Sequence, residues 1–289
     1  MRNTSNINLD DVRDSRLREV LLVVDQCCLN LGIDFYILGA LARDVWFTKH
    51  GIAASGTKDI DFAVFISQED QYHQLKEKLV NEHGYSVSIE NALTAPNRIQ
   101  IDILLFGVLE IEDGIPVAAN GPKRVKVNGF KEVYLTSIEQ VYILEDKQFK
   151  VATLPGIFLL KLIAFDDRPE HRQNDPIDCI NIIKNYFEIE QELIYKEHND
   201  LFGDEKALEV ISARVIGREM SKPLNNDSKL KDRTINILKH HIAQGEQSSF
   251  VLRMATFTYM GTEECTLYLS EILTGIIEKL EGNNINNDK

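Results

Sequence analysis

The sequence predicts an α+β fold, in which a mixed-sheet N-terminal domain is followed by a helical C-terminal domain. Up to about residue 135, helical apolar periods alternate with short runs of β-type residues. Glycines among short alternating runs in residues 107–135 favour hairpins. From Leu154 onward, apolar residues recur at helical spacing and strand signals nearly vanish. We therefore divide the chain into domains 1–150 and 151–289.

The elements of the N-terminal domain follow from the spacing of apolar residues and from turn signals. The first helix has Asp10 or Asp11 as a candidate cap, and a strand after the second helix reads DIDFAVFI. The predicted helices cover residues 11–31, 41–47 and 68–82, and the predicted strands cover 35–38, 59–66, 85–89 and 98–106.

The C-terminal domain is predicted to contain helices only. Each segment carries an apolar face with a period near 3.6 residues. The predicted helices cover residues 154–165, 176–187, 188–198, 205–220, 228–243 and 263–280.

The composition is that of a soluble globular protein, with 44% hydrophobic and 27% charged residues. No apolar run approaches the roughly 20 residues that span a bilayer, and the polar N-terminus has no signal-peptide core. We expect a cytoplasmic protein that does not bind membranes, with its four cysteines reduced.

The net charge of −13 argues against general binding to nucleic acids, which requires phosphate neutralisation by Lys and Arg. One stretch, residues 214–241, is locally basic, with seven Lys or Arg against three acids and thus a net charge of +4. This stretch is either a solvated helix face or a surface for an RNA acceptor.

Three aspartates lie within strands that are otherwise apolar. Asp59 and Asp61 point to the same face, about 6.6 Å apart along the strand. Asp102 lies in the later strand RIQIDILLF, and it completes a three-carboxylate cluster if the two strands are neighbours. Such a cluster is costly to bury unless a cation neutralises it, and it suits two Mg²⁺ ions about 3.5–4 Å apart.

A small-residue turn, Gly39-Ala40, follows a strand and opens a helix about 20 residues before the acidic pair. Glycine lets backbone N–H groups approach a phosphate, and the helix N-terminus adds favourable partial charge. We predict that the backbone of Gly39 and Ala40 binds nucleotide phosphates.

The segments ILGALARD, KDIDFAV and QIDILLF resemble the DNA polymerase β-like nucleotidyltransferase superfamily over about residues 30–110. The first two are also similar to the GGxxRD and DxD segments of tRNA nucleotidyltransferases, with Ala40 as the second small residue. The resemblance implies a polymerase β-like sheet, an NTP substrate, and Asp59, Asp61 and Asp102 as catalytic, Mg²⁺-binding residues. Arg43 and Lys58 are included among the expected nucleotide-binding residues.

The stretch LPGIFLLKLIAFDDRPEHRQNDPIDCINII resembles AbiEii-type nucleotidyltransferases, a toxin-like bacterial family. The matching positions are Lys161, Asp175 and Asp178, with Arg168 between them. The resemblance implies a toxin-like role, an antitoxin protein as a partner, and nucleotide binding by Lys161 and Asp178. The alternative for Lys161 is a snorkelling side chain paired with Asp178.

We expect a metal-dependent transferase that moves an NMP from an NTP to a hydroxyl acceptor and releases pyrophosphate. The acceptor is an RNA such as tRNA, or a small molecule such as an aminoglycoside, whose positive charge would suit an acidic protein. A weakly active or inactive nucleotide-binding or protein-interaction module on the same fold is the alternative. A metal-dependent nuclease is a third reading.

Overall fold

The computed structural model describes residues 15–53, 56–57, 59–68, 70–89, 92–107, 129–144, 147–203 and 206–287. These residues form two compact units. The first contains the described residues up to Tyr134 together with Ile138–Thr153, and the second contains Leu135–Ser137 and the described residues from Leu154 onward. All seven described strands belong to the first unit, so the predicted α+β class is confirmed.

The elements up to residue 152 comprise four helices and seven strands among the described residues. In chain order they are α1 (Arg16–Leu31), β1 (Asp34–Leu38), α2 (Gly39–Lys49), β2 (Asp59–Ile66), α3 (Asp70–His83), β3 (Ser86–Ile89), β4 (Ala92–Thr94), β5 (Gln100–Gly107), α4 (Phe130–Thr136), β6 (Ile138–Leu144) and β7 (Lys147–Ala152). The predicted caps of the first helix, Asp10 and Asp11, lie outside the described residues.

The seven strands form one mixed sheet in the order β3-β4-β5-β2-β1-β7-β6. The β2 strand runs parallel to β5 and antiparallel to β1, and β1 runs parallel to β7. One face of β2 carries Ile60, Phe62 and Val64, all fully buried, so this face forms part of the core. The opposite face carries Asp59 and Asp61.

The predicted hairpin in residues 107–135 is wrong for FKEVYL, because Phe130–Thr136 is the helix α4. Phe130 and Val133, three residues apart, are buried on one side of α4. The Tyr36 hydroxyl donates a hydrogen bond to the Phe130 carbonyl oxygen (3.0 Å). The ring of Tyr134 stacks parallel to that of Phe65 at a centroid distance of 6.2 Å. These tertiary contacts favour a helix over the strand that the alternating letters suggest.

The described part of the second unit contains helices and turns and no strand. Its helices are α5 (Leu154–Asp167), α6 (Asp175–Ile189), α7 (Gln191–Glu197), α8 (Leu208–Leu224), α9 (Ser228–Gln244), α10 (Ser249–Thr258) and α11 (Thr262–Asn287), with 3₁₀ turns at Asn199–Phe202 and Gly245–Gln247. Six of the seven helices correspond to predicted ones, whereas α10 was not predicted. The α5 helix is buried on nearly every side, with Lys161 among its few partly exposed residues.

All four cysteines are buried and form no disulfide. Burial raises the pKa of the Cys265 thiol to about 11, so it remains protonated at neutral pH. No helix among the described residues has both the length and the apolarity needed to cross a membrane.

Candidate active site

The centre of the site is a pair of aspartates on neighbouring parallel strands. The sequence prediction required β5 to lie beside β2, and it does, with Asp61 and Asp102 directly opposite each other. Leu38 of β1 is opposite Asp61 on its other side, and Ala92 of β4 is opposite Asp102. The strands are about 4.8 Å apart, and side chains opposite each other share a face of the sheet. Both carboxylates are half-buried and therefore within reach of a ligand.

Asp59 begins β2, two residues before Asp61 and on the same face. Its side chain is exposed, and its strand partner is Gln100. The Thr57 hydroxyl fixes its backbone, because Thr57 Oγ1 donates to the Asp59 carbonyl oxygen (2.9 Å) and accepts from the Asp59 N–H (3.2 Å). Asp59 therefore lies at the solvent-exposed start of β2, on the same face as the pair Asp61 and Asp102.

Gly39 is the first residue of α2 and lies against the Asp61 carboxylate. Its φ of +70° falls in the left-handed region that favours glycine. A Cβ at this position would lie 1.9 Å from Asp61 Oδ2 and 2.9 Å from Asp61 Cγ. Gly39 and Ala40 are both half-buried. Asp61 thus sits at the N-terminal end of a helix, where unpaired N–H groups and the helix dipole favour negative charge.

Arg43 and Asp44, one turn further along α2, form a buried ion pair. Arg43 is 3% exposed and donates from Nε (2.9 Å) and Nη2 (2.6 Å) to Asp44 Oδ1. Asp44 is fully buried, and its Oδ2 accepts a hydrogen bond from the Gly56 N–H (3.2 Å). The guanidinium, which the sequence assigns to a nucleotide phosphate, is therefore bound to Asp44.

Asp44 was not among the predicted site residues, although it stands in ILGALARD. The signal for it was an Arg-Asp pair inside an otherwise apolar helix, since a buried charge requires a partner. Asp44 links α2 to the loop that leads into Asp59, so it supports the site. It does not belong to the set of Asp59, Asp61 and Asp102, which we call the carboxylate row.

The sequence also predicts Lys58 and Lys161 as nucleotide-binding residues. Lys58 lies outside the described residues. Lys161 belongs to the second unit, where Nζ contacts Asp175 Oδ1 (2.9 Å) and Asp178 Oδ2 (2.6 Å). Asp175 Oδ2 is buried and accepts no hydrogen bond from a described residue. Carboxylates of the same unit thus neutralise the Lys161 ammonium group. The contact with Asp178 is the one that the snorkelling alternative predicts.

The donor set at the carboxylate row suits Mg²⁺, although no group of three His, Cys, Asp or Glu side chains in the described part of the chain is arranged to hold a metal ion. Proteins usually bind Mg²⁺ through one or two carboxylates together with substrate phosphates and water. Asp61 and Asp102, side by side and half-buried, repel each other unless a cation lies between them or near them. The residues therefore fit an ion that arrives with a nucleotide.

The basic stretch 214–241 is largely neutralised by acids of the second unit. At least four of its seven cationic side chains form ion pairs with acids. The pairs are Arg214 with Glu271 and Glu278, Arg218 with Asp200 and Glu278, Lys222 with Glu219, and Arg233 with Asp166 and Asp167. A surface whose charges are paired in this way offers little attraction to an RNA backbone.

A second polar cluster lies at the other end of β1 from the site. Lys150 Nζ and the Tyr134 hydroxyl both donate to Asp34 Oδ2. Burial alone would raise the Asp34 pKa, but these hydrogen bonds outweigh it and lower the pKa below its ordinary value. The cluster joins α4, β1 and β7, which is a structural role.

No protein-family model matches the chain, and no curated protein sequence is significantly similar to it. Among solved structures, the antibiotic-resistance factor ANT(2'')-Ia matches 79% of this chain and 98% of its own, with 14% identity and a TM-score of 0.41. A CCA-adding enzyme solved with ATP matches 86% of this chain and 64% of its own, with 13% identity and a TM-score of 0.33. Similarity at this level carries no argument about activity, which rests on the residues described above.

Proposed function

We propose that this protein is a nucleotidyltransferase that transfers an NMP from an NTP to a hydroxyl acceptor. The observation that carries the proposal is the pairing of Asp61 with Asp102 beside the first residue of α2, Gly39. Carboxylates suited to Mg²⁺ thereby meet a helix N-terminus suited to phosphate within one small region. Transfer of a nucleotidyl group uses both, because catalysis of displacement at phosphorus consists mainly of positioning and charge stabilisation.

The residues of this chain have distinct roles in the proposed reaction. The N–H groups at the start of α2, at Gly39 and Ala40, would hold the triphosphate. Asp59, Asp61 and Asp102 would hold Mg²⁺, which when bound would neutralise phosphate charge and acidify the attacking hydroxyl. Asp102 would accept the proton of that hydroxyl while the hydroxyl oxygen forms a bond to the α-phosphorus. The bond from this phosphorus to the β-phosphate oxygen breaks, and pyrophosphate leaves.

The remaining predicted nucleotide-binding residues are Arg43, Lys58, Lys161 and Asp178, and only Arg43 receives another role here. Because Arg43 is buried against Asp44, we assign it to holding α2 and its loop in place. Lys58, Lys161 and Asp178 stay predictions. The ion pairs of Lys161 with Asp175 and with Asp178 explain the burial of Lys161 and Asp178 without a nucleotide.

The finer assignments also stay predictions: an AbiEii-type toxin-like role, an antitoxin partner and a cytoplasmic location. The acceptor is either an RNA or a small hydroxyl compound. The ion pairs within residues 214–241 favour the small compound, because the basic surface proposed for RNA is mostly neutralised.

A non-catalytic nucleotide-binding module is the second candidate, and one observation favours it. Lys161 is already neutralised by Asp175 and Asp178, so an active-site role for this cation is not required by its burial. Nucleotide binding measured by calorimetry, with no pyrophosphate release for any acceptor, would support this candidate over the transferase.

The test is incubation with each labelled NTP and MgCl₂, in the presence of total RNA or of a panel of aminoglycosides. We expect label to enter one acceptor together with pyrophosphate release, whereas a nuclease would instead shorten the RNA. Asp61→Asn should lower transfer by about two to three orders of magnitude, as expected when one charge-stabilising group is lost. Asp232→Asn, at an exposed position in α9, is the matched control. Full activity in Asp61→Asn with an unchanged circular dichroism spectrum would refute the proposal.

A further inference from the structure

The face of the sheet that carries the catalytic aspartates continues as a polar surface across β5, β4 and β3. Opposite Asp59 in β2 lies Gln100 of β5, and opposite Gln100 lies Thr94 of β4. Opposite Thr94 lies Ser86 of β3. Since residues opposite each other share a face, these side chains lie on the same side as Asp59.

Hydrogen bonds order part of this surface. Ser88 Oγ lies 2.5 Å from Thr94 Oγ1, which joins the two hydroxyls across β3 and β4. Ser86 Oγ donates to the Thr94 carbonyl oxygen at 3.5 Å. Gln100 and Ser88 are exposed and Thr94 is half-buried, so their polar groups are accessible. We call Ser88, Thr94 and Gln100 the polar strip.

The opposite face of the same strands is apolar. Leu93 and Ile101, next to Thr94 and Gln100 in the chain, are buried at 1% and 0% exposure. Alternation of this kind is ordinary for strands with one solvated face, so polarity alone does not indicate a ligand. What distinguishes the polar strip is that it starts beside the carboxylate row, at Asp59 and Asp102.

The order of the strands sets the direction in which substrates lie. The start of α2, which would hold the triphosphate, follows β1 and contacts Asp61 from that side. Asp102 lies on the other side of Asp61, towards β4 and β3. In an in-line displacement the attacking oxygen approaches opposite the leaving pyrophosphate. The acceptor therefore enters from the side of Asp102, and the rest of it extends over β4 and β3.

We propose that the polar strip binds the acceptor, and that the acceptor is a polyhydroxylated, sugar-type ring. This inference rests on the proposed transferase function. The Gln100 amide both donates and accepts, and the hydroxyls of Ser88 and Thr94 do the same, which matches a ring carrying several hydroxyl groups. No Lys or Arg occurs in β3, β4 or β5, so these strands provide no countercharge for phosphates. A ribose terminus of RNA and a free amino sugar share the required chemistry.

Steady-state kinetics of Gln100→Ala and Thr94→Val test the assignment. Each variant should raise the KM for the acceptor about five- to tenfold, the effect of losing one hydrogen bond, while the KM for the NTP stays unchanged. Gln140→Ala is the matched control, since Gln140 is an exposed glutamine in β6, beyond β1 and β7 from the carboxylate row. An unchanged acceptor KM in both variants, or a raised KM for the NTP alone, would overturn the inference.

A binding experiment separates this inference from the proposed function. The side-chain amide of Gln100 is followed by NMR while an aminoglycoside or a tRNA is added to the full chain. A saturable shift for either probe supports the polar strip even if no NMP transfer is found. No shift for either probe overturns the polar strip, including when transfer occurs. A response to tRNA that is lost in Arg98→Ala, at an exposed position in the turn between β4 and β5, would assign the sugar to RNA.

Discussion

Replacing Gly39 by alanine tests whether the close contact between α2 and Asp61 governs the proposed activity. The added Cβ would meet Asp61 Oδ2 at 1.9 Å, Cγ at 2.9 Å and Cβ at 3.3 Å. Real Cβ atoms do not approach other atoms at 1.9 Å, so the Asp61 carboxylate or the start of α2 has to move. Either movement separates the helix N-terminus from the carboxylate pair.

The size of the effect follows from two contributions. A non-glycine residue in the left-handed region costs about 1–2 kcal/mol of stability, and the φ of Gly39 is +70°. To relieve the clash, the Asp61 carboxylate or the start of α2 must move by about an ångström or more. A misplacement of about 1 Å can lower a rate by about a hundredfold. We expect Gly39→Ala to unfold at lower urea concentration and to transfer NMP about a hundredfold more slowly.

Gly32→Ala is the control that isolates the contact with Asp61. Gly32 also has a positive φ, +63°, but a Cβ there has nothing within 4 Å. It should lose a similar amount of stability and keep its transfer activity. Urea titrations and NMP transfer below the unfolding transition distinguish the two. If Gly39→Ala retains activity as Gly32→Ala does, the contact is not part of the site and the argument fails.

Three further predictions concern single side chains. Asp102→Asn should lower single-turnover NMP transfer about 10²- to 10⁴-fold, as expected for loss of a general base, and unchanged turnover would exclude Asp102 as the base. Lys161→Met should lower the free energy of unfolding by about 3–5 kcal/mol because two buried carboxylates lose their cation, whereas Lys78→Met, at an exposed pair, should leave the urea midpoint nearly unchanged. Burial lowers the pKa of His241 to about 4, so the unfolded chain takes up its proton first as pH falls. The free energy of unfolding should therefore drop between pH 6.5 and 4, by at most about 3 kcal/mol for this group. In urea titrations at several pH values, His241→Gln should make that drop smaller. Equal pH profiles for the two proteins would contradict the lowered pKa of His241.

The parts of the fold that the sequence predicts well are those with strong local patterns. The strand DIDFAVFI was predicted with the bounds that the structure has, because a run of large apolar residues begins at two alternating carboxylates. Of the helices in the second unit, α9 begins at the predicted Ser228, where Asp227 caps it by accepting from the Leu230 N–H. In these cases the signal lies within a few residues of the element.

The parts that were missed depend on partners far away in the chain. The strands β6 and β7 carry Glu139, Lys147 and Lys150, which weaken a β-type pattern. Lys150 is accommodated because it meets Asp34 of β1, 116 residues away. The basic stretch 214–241 looked like a charged surface because the acids that pair with Arg214 lie 57 and 64 residues further on. Local composition contains no information about such pairs.

The acidic pair Asp59 and Asp61 is positioned twice by the same helix. At its first residue, Gly39, α2 contacts the Asp61 carboxylate. Five residues later, Asp44 accepts the hydrogen bond of the Gly56 N–H, three residues before Asp59. Asp44 has no solvent exposure and Arg43 neutralises it, so this attachment is expensive to break. The helix that would bind the triphosphate therefore also holds the loop before Asp59, so a change that displaces α2 should disturb both Asp59 and Asp61.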